Sequence, residues 1–249
     1  MKKEKHIQSV LRSLNILKAL SEADNGLGVN DAAEVAGISS PAAYCLLQTL
    51  LARGFAEKKS SRYCLGGEVV NLFHRFTETS QMKTVKKAMR ELSVHYPSAT
   101  LGYSIVRNNI IMTIFRISPE WPDIVQTPNN LHYDIYFNLT GIVFMSMLTS
   151  EDAFKLQQSY PFEKFGAAIW PDFETYLKSL EQVRRDGFIH KLYPTENTFR
   201  IAVPVWNGKS CLEGVLGVSL KFEQWKILQD SAEIQEIVNG IYLKLQNRI

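Results

Sequence analysis

Cysteine is scarce in this chain: three residues among 249, at Cys45, Cys64 and Cys211, with no paired spacing. That excludes a disulfide framework and a cysteine-held zinc module, and it fits a reducing compartment. Histidine is nearly as scarce, five in all. Neither an HExxH pair, nor a GxSxG elbow, nor a Walker-type phosphate loop occurs. Cys64 with His74, and His132 with His190, lack ligand spacing, and His132 with Asp134 is an isolated pair that reads as structural. The expectation is a protein that is not an enzyme and holds no cofactor or metal. Long apolar runs are missing too. The stretch 141–148 falls far short of the ~20 residues a membrane helix needs. Arg12 and Asn15 break the apolar residues that follow the basic start, so no signal peptide is expected. These absences point to a cytoplasmic protein with no membrane partner.

What is present is an ordinary soluble composition, 45% hydrophobic and 21% charged, in a length that suits one large domain or two ordinary ones. The net charge of +3 is small but unevenly laid out. Residues 1–90 hold 14 Lys and Arg against 8 Asp and Glu, whereas residues 91–249 hold 14 against 17. A basic front and a mildly acidic back suit nucleic-acid contact through the front.

The front is organised around 29–65. Asn30 reads as a helix N-cap, with Asp31 and Glu34 placing negative charge near the helix start and Gly37 ending it. Ser40 reads as the cap of a second helix with Pro41 first, Ala43, Leu46, Leu47 and Leu50 at helical spacing, and Gly54 as its stop. Extended runs at 55–57 and 62–65 flank a polar turn at 58–61. Before these, Ile7, Val10, Leu11, Leu14, Leu17 and Leu20 form a stripe expected to pack under the other two helices. Helix, turn, helix and basic hairpin outline a winged helix-turn-helix. The face of the second helix opposite its apolar stripe presents Ser39, Ser40, Ala42, Tyr44, Cys45 and Gln48. Gln48 suits adenine and Ala42 a thymine methyl, while Ser40 and Tyr44 suit phosphate. Arg53 and the wing residues Lys58, Lys59 and Arg62 supply the cations.

The order of elements resembles the IclR family of bacterial transcription regulators. The likeness is carried by QSVLRSLNILKALSEA at 8–23, LGVNDAAEVAGIS at 27–39, LLQTLLARGFAEK at 46–58 and RYCLGGEVVNL at 62–72. It continues in GFIHKLYPTENTFRIAVPV at 187–205 and GVLGVSLKFEQW at 214–225. The resemblance implies an α+β protein: a winged helix-turn-helix DNA-binding domain over 1–76, a boundary at 77–81 within a helical linker, and a GAF-like antiparallel-sheet effector domain over 82–249. It also implies double-stranded DNA as partner, a small organic acid as effector, and a homodimer or dimer of dimers. The chain departs from the family where Ser40 and Cys45 replace the usual lysine and arginine of the recognition helix. The alternative is a ligand-binding or protein-interaction module whose winged helix no longer reads DNA.

Beyond the wing, helices are expected at 68–79 and 82–96, a hairpin of strands around Asn108-Asn109, and an irregular loop marked by Pro119, Pro122 and Pro128. Further helices are expected at 140–148, from Ser150, and between Asp172 and Gly187. Strands follow at 188–192, 198–205 and 212–221, with a turn at Asn207-Gly208 and a closing helix over 224–246. Thr198, Arg200, Ala202 and Pro204 share one strand face, and Gly217 and Ser219 leave room on the next strand. Arg200 reads either as a carboxylate's counter-ion or as a surface ion pair. The resemblance implies that the pocket also uses Thr140 and Gly141 at a helix start, and a position near Lys191, where the family carries an acid.

Overall fold

The computed structural model describes residues 6–128, 132–206 and 211–221. The turn expected at Asn207-Gly208 and the helix expected over 224–246 lie outside them. Two compact units divide the chain, Met1–Thr79 and Ser80–Ile249.

The first unit opens with α1 (Gln8–Glu22), α2 (Val29–Ala36) and α3 (Ser40–Ala52). The strands β1 (Ala56–Lys59) and β2 (Arg62–Leu65) follow, then α4 (Glu68–Thr77). Gly37 sits at φ 60°, the left-handed conformation that lets α2 stop and the chain turn by 102° into α3. The two expected caps serve otherwise. Gly28 caps α2, its N–H donating to the Asp31 carboxylate at 2.9 Å, and Ser39 precedes α3. Asn30 instead accepts from the Ser40 hydroxyl at 2.8 Å, bracing the turn between the two helices. The core joins Ile16, Leu20, Ala32, Ala36, Leu47, Leu50, Ala56 and Tyr63.

The stripe expected on α1 does not form one buried face. Ile16 and Leu20 are buried, but Ile7, Val10, Leu11 and Leu14 are 37–70% exposed. At 100° per residue, Ile16 lies about 200° around the helix from Leu14, so α1 carries two apolar faces and buries the later one.

The second unit begins with α5 (Ser80–His95), β3 (Ala99–Arg107), β4 (Ile110–Ser118), β5 (Trp121–Gln126) and β6 (His132–Tyr133). Helices α6 (Leu139–Met147), α7 (Ser150–Ser159), α8 (Phe162–Phe165) and α9 (Phe173–Asp186) come next. The described part closes with β7 (Ile189–Tyr193), a 3-10 turn (Pro194–Glu196), β8 (Thr198–Trp206) and β9 (Leu212–Lys221). The sheet runs β5-β4-β3-β9-β8-β7, with β6 also on β4, and every pairing is antiparallel. Asn108 and Asn109, both at positive φ, make the two-residue turn between β3 and β4. The irregular loop expected after Pro119 is instead β5. It stands at the sheet's edge, where Pro122 costs no ladder hydrogen bond that the sheet needs.

Helix α5 packs on β3, β4 and β5, while α6 packs on β7, β8, β9 and α9. Asp172 caps α9 by accepting from Thr175 N–H, as its position before the amphipathic run predicts. Asp134 is structural: its Oδ1 accepts from the N–H groups of Tyr136 and Phe137, at 2.8 and 2.6 Å, and turns the chain toward α6.

Candidate DNA-binding surface and effector cavity

On α3 the exposed residues are Pro41, Ala42, Tyr44, Cys45, Thr49 and, at its end, Ala52. Ala42, Tyr44 and Cys45 therefore stand where the sequence places them, and Thr49, overlooked there, joins them. Gln48 does not. Half-buried, it donates from Nε2 to the Tyr63 hydroxyl at 2.9 Å. Tyr63 is fully packed in the unit's core, and a buried phenol needs a partner, which is the signal that could have assigned Gln48 to the wing. Gln48→Ala is expected to lower stability by about 1 kcal/mol, read by urea unfolding, because it strands that hydroxyl.

The wing's cations are likewise partly spoken for. Arg62 donates to the carbonyls of Asn25 and Gly26 and pairs with Asp31 at 3.0 Å, tying β2 to the loop before α2. Lys59 pairs with Glu57 at 2.7 Å. Lys58 sits 5.5 Å over the Tyr63 ring and is the one wing cation not paired with an acid among the described residues. Arg53 is exposed at the end of α3, Ser39 is exposed at its start, and Ser40 is held by Asn30.

In the second unit a cavity of about 360 Å³ opens between the sheet face and the start of α6. Thr140, Arg200, Gly217 and Ser219 line it, together with four residues sequence reasoning passed over: Ser104, Thr113, Arg116 and Asn138. Gly141 and Lys191 do not. The Gly141 N–H is already bonded to Asn138 Oδ1 at 2.8 Å. A Cβ on Gly141 would meet the Asp134 carbonyl at 2.5 Å, so this glycine serves helix packing. Lys191 lies opposite Arg200 on β7, exposed, with Nζ 5.4 Å over the Tyr193 ring. Arg200 reaches the cavity, yet it is ion-paired with Glu196 and stacked 4.4 Å over Tyr193. The Nε of Arg116 is buried with no partner. No Asp or Glu lines the cavity among the described residues. Two arginines and several hydroxyls give the cavity wall donors that suit an anion. No group of three or more His, Cys, Asp or Glu among those residues is placed to hold a metal.

The fold is a winged helix-turn-helix followed by a second unit, an antiparallel-sheet domain with a polar cavity. Residues 9–60 match the IclR helix-turn-helix domain. The p-hydroxybenzoate hydroxylase transcriptional activator of Acinetobacter baylyi is 23% identical over 212 residues, 83% of this chain and 78% of that protein. The IclR transcriptional regulator of Alicyclobacillus acidocaldarius superposes with a TM-score of 0.67 at 18% identity, covering 98% and 96% of the two chains. An IclR homologue of Microbacterium hydrocarbonoxydans, complexed with 4-hydroxybenzoate, superposes with a TM-score of 0.67 at 16% identity, covering 96% and 99%. Residues 9–60 therefore carry an IclR-type helix-turn-helix, and the chain shares the fold of solved IclR regulators. Among the described residues, no single helix is long and apolar enough to cross a membrane.

Proposed function

We propose that this regulator binds a two-fold symmetric operator as a homodimer or dimer of dimers, and that a small organic carboxylate in the cavity of the second unit modulates that binding. The observation that carries the effector reading is the cavity wall itself: two arginines, five hydroxyls and, among the described residues, no acid. An arginine fork matches a carboxylate's two oxygens. A relative named for hydroxybenzoate hydroxylase activation, and a fold neighbour complexed with 4-hydroxybenzoate, support an acid of this kind. Residues 1–76 would bind DNA and 82–249 the effector, with α4 and α5, separated by Glu78 and Thr79, carrying the signal. The acid shifts DNA affinity only by as much as it prefers one arrangement of the wings.

The self-association reading rests on the outer face of α1. Ile7, Val10, Leu11 and Leu14 follow i, i+3, i+4, i+7 spacing and lie exposed, and α4 exposes Val70, Leu72 and Phe73. Exposed apolar residues gathered on one helix face mark an interaction face. A single short recognition helix reads too few base pairs alone, so paired half-sites about 34 Å apart are expected.

The second reading, a ligand-binding module with a vestigial winged helix, is favoured by one fact: the exposed face of α3 carries no cation. A fluorescence titration on the gene's own upstream region, across salt concentrations and with and without acid, separates the two. The expected result is specific binding that weakens steeply as salt rises, because phosphate contacts release counterions. Lys58→Ala is expected to weaken all sequences alike, since phosphate contacts position without specifying. Binding there no tighter than to random DNA at every salt concentration would leave the module reading in place.

A further inference from the structure

Arg116 of β4 stands opposite Gly102 of β3, Gly102 opposite Gly217 of β9, and Gly217 opposite Ala202 of β8. Residues in register share a face of the sheet. From the arginine, this row therefore crosses two strands with no side chain before it reaches a methyl group. It forms a trough about 10 Å wide at ~4.8 Å per strand, with Arg116 at one end. A buried donor with no partner, such as its Nε, is rare in folded proteins and calls for an unseen partner or a function. Arg200, the other cavity arginine, has its charge met by Glu196 and its face covered by Tyr193. Of the two, Arg116 keeps a buried N–H without a partner, and the acid that feels its charge, Glu120, is itself exposed.

Thr113 lies three residues before Arg116 on β4. On a regular strand residues three apart point to opposite faces. Here the register slips between Tyr103 and Ser104: Tyr103 pairs with Phe115, but Ser104 pairs with Thr113, leaving Ile114 as the extra residue. The bulge brings Thr113 to the face of Arg116. The Thr113 hydroxyl lies 2.9 Å from that of Ser104, in a buried pair that also lines the cavity. Two hydroxyls bonded to each other spend one O–H, leaving the second O–H and spare lone pairs for a ligand.

We propose that Arg116 holds the effector's carboxylate and that the Ser104–Thr113 pair reads a hydroxyl at the ligand's other end, so that the cavity selects hydroxylated monocarboxylic acids over unsubstituted ones. The proposal rests on the reading of the cavity as the effector site. Calorimetric titration of the full-length protein with 4-hydroxybenzoate and with benzoate tests it. Wild type binds 4-hydroxybenzoate about tenfold more tightly. Arg116→Gln weakens both acids by about 10–100-fold, and Arg116→Lys recovers part of the loss, since lysine keeps the charge but not the fork. Thr113→Val removes the preference for the hydroxylated acid and leaves benzoate unchanged. Arg200→Gln, whose charge Glu196 already meets, weakens both acids less than Arg116→Gln does. An Arg116→Gln protein that melts with wild type shows that the loss is not unfolding. If wild type binds these acids but Arg116→Gln binds them equally well, or Arg200→Gln loses them instead, the assignment to Arg116 falls while the effector cavity stands. A wild type that binds neither acid overturns the ligand class, and with it the cavity's role as a site for such acids.

Discussion

Replacing Leu11 and Leu14 together by aspartate is expected to turn the protein into a monomer and to lower its operator affinity by at least about 100-fold, since specific sites bind ~10³-fold or more above random DNA. Both leucines belong to the exposed face of α1, whereas the face that holds the first unit together is formed by Ile16 and Leu20. The substitutions thus leave the core untouched, and each puts a charge where an apolar surface would meet its copy. A two-fold operator rewards two wings held at fixed spacing, and a monomer keeps one half-site only. Sedimentation and operator titration, run on the same samples with a melting curve, give the answer. A double variant that stays dimeric and binds as wild type does would place the self-association surface elsewhere, with the exposed apolar residues of α4 as the next face to test.

How much of this was legible beforehand differs by element, and the differences have physical causes. Helix α9 was readable from end to end, because Asp172 caps it, Gly187 stops it, and Tyr176, Leu180 and Val183 keep a helical period between them. The recognition helix and wing were readable for the same reason: Pro41, Gly54 and the polar hairpin turn act locally. Helix α1 misled because a stripe read from sequence cannot say which side of a doubly apolar helix meets the core. In β5, Pro122 argued against a strand, and only its edge position, a fact of tertiary structure, permits one. The cavity was half legible. Gly217, Ser219, Thr140 and Arg200 follow from alternation along β9 and β8 and from the family resemblance. Arg116 does not, because strict alternation along β4 sets it on the face opposite Thr113, and the bulge at Ile114 that reverses this is a matter of register with β3. The partners of Gln48 and Arg62 were hidden for a related reason. Their polar groups looked free for DNA until Tyr63, Asn25, Gly26 and Asp31 were brought beside them.

Gly217→Val is expected to abolish the effector's hold on DNA binding while leaving effector-free operator affinity unchanged. Gly217 lies in the floor of the cavity, between Ala202 and Gly102 in the sheet. A Cβ there would sit 3.2 Å from Thr140 Oγ1, so Thr140 must yield by a few tenths of an ångström for the new side chain to fit. The valine methyls then fill the room an acid would need, above the trough that leads to Arg116. The backbone has no objection, because Gly217 is not among the glycines at positive φ. A β-branched residue suits a strand better than glycine, by up to about 1 kcal/mol, which offsets the strain at Thr140 and keeps the melting temperature near that of wild type. Gly141→Ala is the contrasting change. Its Cβ would strike the Asp134 carbonyl and the Ile135 backbone at 2.5 and 2.8 Å, a clash with main chain that costs several kcal/mol and is read as a lower melting temperature. Operator titrations with and without 4-hydroxybenzoate, beside calorimetry of the same acid, separate loss of the site from loss of the fold. If Gly217→Val binds the acid as tightly as wild type and releases or grips DNA in the same way, the floor of this cavity is not where the effector sits.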